Sequence, residues 1–523
     1  MNIRKIINTI FLIVLSSLIF IVAGCTIFKK DEIPVTTSSR EALRLFIQGR
    51  NLYENLRTFE SIDYFINAIE KDPNFAMAYY YLASAYRYTG SSNGFYRNLS
   101  RAIALVDKYL AFAHPYAGDT TDFYFTLRKA VSLADKVSEG ERLTILGLDA
   151  SVKGNFKKEE EIYRKLVKAY PEDKRAHFEM GTFYYNQNNY LQAKNELEKA
   201  IEIDPKYAPA YNMLGYSYSM LSEYSKAEEV FKKYAELIPN EPNPYDSWGE
   251  LLMKVGKFDE SINAYKKAIS IDPTFYNSYH GLGMNYVFKN KWEEGRKYFQ
   301  KLFEIAPRAA QRRQALYFSM ISYIDEGELY KALEMLERRH EIAKEIEDIM
   351  EIHRDLKMMG DIFLELGKLD EAIKKYKEAV KIIEKADVSE EIKADARQGL
   401  LYDESVIAIK LGNLTNARSK AAAFYRQAEE EHNEREIRLY HELVGIISLK
   451  EGQYDDAIFE LNLTDKNNPQ NIYRIALAYE GKGEKEKAKE LYIKAANFNE
   501  INYNYAFIRK KAQAKLSTYI QTQ

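Results

Sequence analysis

From Ala176 to Pro307 apolar residues recur at helical spacing in paired blocks, and a proline closes each pair. In "RAHFEMGTFYYNQNNYLQAKNELEKAIEIDP", Phe178, Gly181, Tyr184 and Tyr185 share one helical face, and "NQNNY" reads as a turn. Leu191, Ala193, Leu197, Ala200 and Ile201 make a second apolar face, which Asp204-Pro205 stops because proline disfavours a helical residue before it. Pro171, Pro205, Pro239, Pro273 and Pro307 are 34 apart, and so are Gly147, Gly181, Gly215, Gly249 and Gly283. Two residue types holding one period over five units define an internal repeat, one helix-turn-helix per unit. Gly181 and Ala193 are small where two helices must approach closely.

Two regions depart from the period. Between Tyr81 and Lys136 it is 28, since "YLASAYRYTGSSNGFYRNLSRAIALVDK" aligns with "YLAFAHPYAGDTTDFYFTLRKAVSLADK". This local duplication predicts irregular hairpins. After Pro307 the phase breaks, because Tyr317 stands where a glycine is due. Ala332, Ala372, Ala417, Ala457 and Ala488 still mark second helices after turns such as "ELGKLDEA", but at wider spacing, which predicts longer helices. An amphipathic tail, Asn504 to Ile520, is expected to cap the array, because a stacked array exposes an apolar face at its end.

The N-terminus follows different rules. Arg4 and Lys5 precede an apolar run from Ile6 to Val22, then Ala23, Gly24 and Cys25, the sole cysteine. This is the layout of an export signal. An uncleaved membrane helix is the plainer alternative, although the run barely reaches the roughly 20 apolar residues that a span needs. Without a second cysteine the chain forms no internal disulfide. Residues up to Arg40 are polar, with Pro34, Thr36, Thr37, Ser38 and Ser39, and read as a tether.

Composition narrows the function. Lys and Arg number 75 against 77 Asp and Glu, a formal net charge of −2, whereas a nucleic-acid binder would show a basic excess. "HRDLK" at His353–Lys357 looks like a kinase catalytic loop, but Gly360 stands where that loop needs Asn, and no glycine-rich phosphate loop accompanies it. The "GKGEKEK" at Gly481 lacks phosphate-loop spacing. The seven histidines never pair at ligand spacing, so no metal or other cofactor is expected. An enzyme is the weakest reading.

These residues carry two resemblances. Val22-Ala23-Gly24-Cys25 resembles the lipobox of bacterial lipoproteins, which implies that Cys25 is lipidated and residues 1–24 removed. Thr26 is not Asp, which by that family's sorting pattern implies the outer membrane, periplasmic side, in a two-membrane host. The repeats resemble the tetratricopeptide repeat (TPR) family. Tyr211, Leu214-Gly215, Tyr218, Ala227, Phe231 and Pro239 match its pattern. So do Trp248-Gly249, Tyr265, Ala268 and Pro273 in the next unit. The implied fold is an all-α, right-handed superhelical solenoid of about 11–12 units. The chain would divide into a signal peptide (1–24), a lipidated N-terminus and flexible tether (25–40), and an array over 41–311 with the irregular segment at 81–136. A divergent longer-helix array (312–502) and a capping helix (503–523) would follow. Family register puts Tyr80, Arg87, Phe178, Thr182, Tyr185, Asn212, Tyr216, Asp246, Glu250, His280 and Met284 on the inner wall that such proteins use to bind a protein or peptide. Asp246 and Glu250 stand where the family's carboxylate clamp has basic or amide groups, so a C-terminal carboxylate is not the expected ligand. The expected function is a membrane-anchored, non-enzymatic scaffold at the cell envelope. The alternative is a dedicated component of a machine for outer-membrane protein assembly, pilus biogenesis or exopolysaccharide export.

Overall fold

The computed structural model describes residues 32–55, 57–89, 121–306, 308–430, 432–465, 468–501 and 503–520. Cys25, the signal layout, Pro307 and the turns of the 81–136 duplication, which fall within 90–120, lie outside the described residues. All regular structure among the described residues is helical, in consecutive antiparallel pairs. The expected all-α repeat array is what the chain forms. It separates into two compact units, Met1–Trp248 and Gly249–Gln523.

The 34-residue period has one packing origin. Each repeat glycine lies on a first helix against a large residue sixteen positions later on the second. A Cβ on Gly181 would sit 2.8 Å from Leu197 Cγ, and one on Gly215 would sit 2.5 Å from Phe231 Cε1. Gly360 faces Tyr376 and Gly445 faces Leu461 in the same way, so the contact persists where the period does not. The turns repeat as well. Gly154, Asn188, Ser222, Gly256 and Asn290 all have positive φ, the left-handed conformation that joins first helix to second. Asn155 and Asn189 follow, and each side chain accepts a backbone N–H in the first turn of the second helix.

In the first unit the helices from Arg40 to Leu237 run 13 to 15 residues. The tether expected over 25–40 is docked at its C-terminal end. The Ile33 N–H donates to Asp173 Oδ2 at 2.6 Å, the Thr36 N–H to Glu141 Oε1 at 2.8 Å, and the Thr37 hydroxyl to Asp72 Oδ2 at 2.6 Å. These carboxylates sit at or near helix N-termini and each needs donors. Residues 33–39 therefore belong to the folded unit.

In the second unit the helices lengthen to 17–21 residues from Ala309 to Glu451, as the wider spacing predicts. They shorten again to 9, 13 and 12 residues over Tyr454–Ala496, a change the expected long-helix array to 502 does not contain. The tail forms helices Tyr503–Ala506 and Arg509–Ile520. The second packs on helix Lys485–Ala496, as a cap should. The tail also reaches back to helix Asn277–Phe288, where Arg509 bonds the Phe288 carbonyl at 2.5 Å, 221 residues away. Contact between neighbouring repeats alone does not describe this unit. No helix among the described residues is long and apolar enough to cross a membrane.

Candidate functional site

The first unit bends until helix Lys174–Asn186 faces helix Ala76–Thr89. Tyr80 donates its hydroxyl to Glu179 Oε1 at 2.9 Å, across 99 residues. The Tyr163 hydroxyl near the same carboxyl favours its charged form. Burial pushes the Glu179 pKa up to about 7, and the nearby Glu159 adds to the rise. Glu159 is itself buried and raised by burial, and its Oε2 meets no described partner. Arg87 is exposed on the Tyr80 helix and its charge opposes both shifts.

One turn before Glu179, Arg175 donates to Glu54 Oε1 at 3.0 Å. Burial disfavours the guanidinium, but Glu54, Tyr81, Tyr207 and Asp173 together outweigh it and hold the Arg175 pKa above its usual value. Phe178 is half-buried and meets the Tyr207 ring edge-on at 5.5 Å. Thr182 continues the face, its hydroxyl oxygen sealed without a described partner. Tyr185 packs on Tyr190 at 5.4 Å. Farther along, Ser247 donates to Asn212 Oδ1 at 3.0 Å and accepts from the Tyr216 hydroxyl at 3.2 Å. Asp246 is half-buried and Glu250 exposed, both on helix Asn243–Lys254.

Of the residues placed on the wall by register, Tyr80 and Arg87 gather around Glu179, with Phe178 and Thr182 on the Glu179 helix. Asn212 and Tyr216 form a separate cluster on Ser247. Tyr80 is buried and committed to Glu179, so its hydroxyl is not presented to a ligand. Two others leave the wall. Met284 is 1% exposed in the core of the second unit. His280 stacks on Phe318 at 4.8 Å, its Nδ1 sealed without a described partner, and burial pushes its pKa down to about 4. The register was carried over from the regular repeats. The longer helix that follows, Ala309–Glu326, brings Phe318 onto this face instead.

Register reasoning missed Glu179, Tyr163, Glu54 and Ser247. Glu179 adjoins Phe178 and lies three before Thr182, so its face was legible. Its partners, far away in sequence, were not.

The kinase-like "HRDLK" is structural. His353 Nδ1 lies 2.9 Å from the Ala379 carbonyl oxygen, and Arg354 pairs with Glu351. Asp355 is fully buried between Arg313, at 2.7 Å, and Arg339. Lys357 pairs with Asp403 at 3.0 Å. The neighbouring Asp361 is pushed up to about 7 by burial and by Asp403, and it accepts from the Tyr376 hydroxyl at 2.8 Å.

Comparison with known proteins names the repeat. Family models described as tetratricopeptide repeat match residues 174–207, 196–229, 276–308, 358–385 and 469–502, and one described as TPR repeat matches 249–287. No curated protein matches the chain. Among solved structures, a crystal structure of MamA is 30% identical, covering 30% of this chain and 93% of its own, with a TM-score of 0.28. MamA from Desulfovibrio magneticus RS-1 is 18% identical, covering 32% and 95%, with a TM-score of 0.29. YrrB, described as a TPR protein with an unusual peptide-binding site, is 20% identical over 36% and 96%, with a TM-score of 0.28.

Proposed function

We infer, from the premise that this chain is a tetratricopeptide-repeat protein, that it is a lipid-anchored scaffold which holds a protein or peptide partner at the cell envelope. The observation that supports partner binding is the register of half-buried side chains along successive first helices: Phe178, Thr182 and Tyr185, then Asn212 and Tyr216, then Asp246. Aromatic faces give contact area at little entropic cost, and they rank high among interface anchors. Asp246 and Glu250 favour a partner bearing Lys or Arg, because complementary charge sets encounter rate and register. The anchor is supported by the residues before the fold. Cys25 follows an export-signal layout and Val22-Ala23-Gly24, and the docked residues begin soon afterwards at Ile33. Two or three acyl chains hold a protein to a bilayer far better than one, at about 0.8 kcal/mol per buried methylene.

The test is capture from solubilised membranes by the native chain and by a variant carrying Asp246→Lys and Glu250→Lys. The variant should recover less partner, with weaker salt sensitivity. The control moves the same charge on the second helix Tyr224–Leu237, with Glu229→Lys and Glu236→Lys. Equal recovery by both variants refutes this wall as the binding surface.

A further inference from the structure

The inner side of the second unit already holds a peptide-like segment, and it is the chain's own. After helix Lys485–Ala496 the chain lays Tyr505, Phe507 and Ile508 into the core with Val287, Phe288 and Met358; these tail residues are 2%, 8% and 7% exposed. The Tyr503 hydroxyl donates to the Met358 carbonyl at 3.4 Å. Three cations follow directly, and each has a built acceptor. Arg509 donates to the Val287 and Phe288 carbonyls at 3.4 and 2.5 Å and to Asp325 Oδ2 at 2.8 Å. Lys510 donates to the Glu326 carbonyl at 2.7 Å and lies over the Trp292 ring at 4.4 Å. Lys511 pairs with Glu365 at 2.6 Å.

Capping does not account for this arrangement. A cap must cover the last helix pair, and helix Arg509–Ile520 does so through Lys515 and Tyr519, which both reach Glu480. The acceptors for Arg509, Lys510 and Lys511 belong instead to the C-terminal ends of helices, 146 to 222 residues earlier. Helix C-terminal ends have carbonyls without intrahelical partners and carry the negative pole of the helix dipole, which suits a cation. Asp325 is 2% exposed, and its Oδ1 meets no described partner although its Oδ2 accepts from both Arg509 and Trp292. The carboxylate that holds the Arg509 guanidinium thus keeps one buried acceptor atom without a described partner.

We propose that this inner surface is a recognition seat for segments in which aromatic and aliphatic residues run directly into two or three cations, and that the tail Tyr503–Lys511 occupies it until a partner segment of that chemistry replaces it. The tail is tethered, so its effective concentration is high, and a competing segment binds only the fraction of molecules whose seat is open. This inference does not depend on the wall of the first unit.

The probe is a fluorescent synthetic peptide copying residues 501–514, with a control copy carrying Arg509→Glu and Lys510→Glu. The proteins are the full native chain and a full chain carrying Arg509→Ala and Lys510→Ala. The weakened-tail chain should bind the native-sequence peptide at least tenfold more tightly than the native chain does, and neither should bind the control peptide. No binding to the weakened-tail chain, or equal binding of both peptides, overturns the proposal. If that variant does not fold, the native chain decides by hydrogen exchange. Excess peptide should speed exchange across residues 503–516, and unchanged exchange there overturns the seat. Replacing Asp246 should leave this binding intact, so failure of the first unit's wall and failure of this seat remain distinguishable.

Discussion

A glycine-to-alanine exchange in a helix interior normally stabilises by about 1 kcal/mol, because alanine restricts the unfolded chain and has the higher helix propensity. At Gly215 the sign should reverse. A Cβ there would lie 2.5, 2.6 and 2.9 Å from Cε1, Cζ and Cδ1 of Phe231. Carbon atoms in contact need roughly 3.5–4.0 Å, so ring and helix must separate by about 1 Å. The ring cannot yield: Phe231 is fully buried, and Tyr216 packs against it edge-on at 5.3 Å. Overpacking a tight core costs about 1–3 kcal/mol, which offsets the propensity gain and leaves Gly215→Ala destabilising by up to about 2 kcal/mol. Gly399 is the matched control. It too is interior to a helix, Glu390–Lys410, but its Cβ would meet only the Lys357 Nζ, the end of a movable side chain, at 3.4 Å. Gly399→Ala should therefore stabilise by up to about 1 kcal/mol. Repeat arrays need not unfold in one step, so local hydrogen exchange over helices Ala208–Met220, Tyr224–Leu237 and Glu390–Lys410 is the appropriate assay. If Gly215→Ala raises protection as Gly399→Ala does, the close-approach account of the 34-residue glycines is wrong.

Ser222 holds φ of 60° in an exposed turn, so Ser222→Gly should stabilise by about 0.5–1 kcal/mol once the greater freedom of unfolded glycine is subtracted, as read by thermal melting. Asp355→Ala would leave the buried Arg313 and Arg339 to share Glu351 as their one remaining carboxylate among the described residues and should cost about 1–3 kcal/mol, measured by denaturant titration of the second unit; a cost below about 1 kcal/mol would show the buried carboxylate to be dispensable. His280 titrates at about 4 in the fold against 6.5 unfolded, so between these values the unfolded chain binds more protons and stability falls with acidification. The slope from this residue reaches about 1.4 kcal/mol per pH unit, and the difference between native and His280→Phe chains isolates it, because Asp361, raised to about 7, acts in the opposite direction. Cys25→Ser should abolish labelling by a fatty-acid analogue and leave residues 1–24 attached, and equal label on the variant would remove the lipid anchor.

What the sequence determined by itself is whatever recurs within about forty residues. The glycine that meets a ring sixteen positions later, the left-handed turn residue, the asparagine that caps the next helix and the proline that ends it all act within one helix pair. Their physics leaves a periodic trace, and the fold class and the face carrying Phe178, Thr182 and Tyr185 were legible from it. The tertiary structure decided the rest. Small rotations accumulate from repeat to repeat until Tyr80 meets Glu179 and Arg509 meets Asp325, pairs separated by 99 and 184 residues. No local pattern encodes those meetings, because each depends on the sum of many packing angles. A nearer contact took His280 and Met284 off the wall. Their register positions match those of Asn212 and Tyr216, but the helix packed next to them is longer and brings Phe318 against the ring of His280.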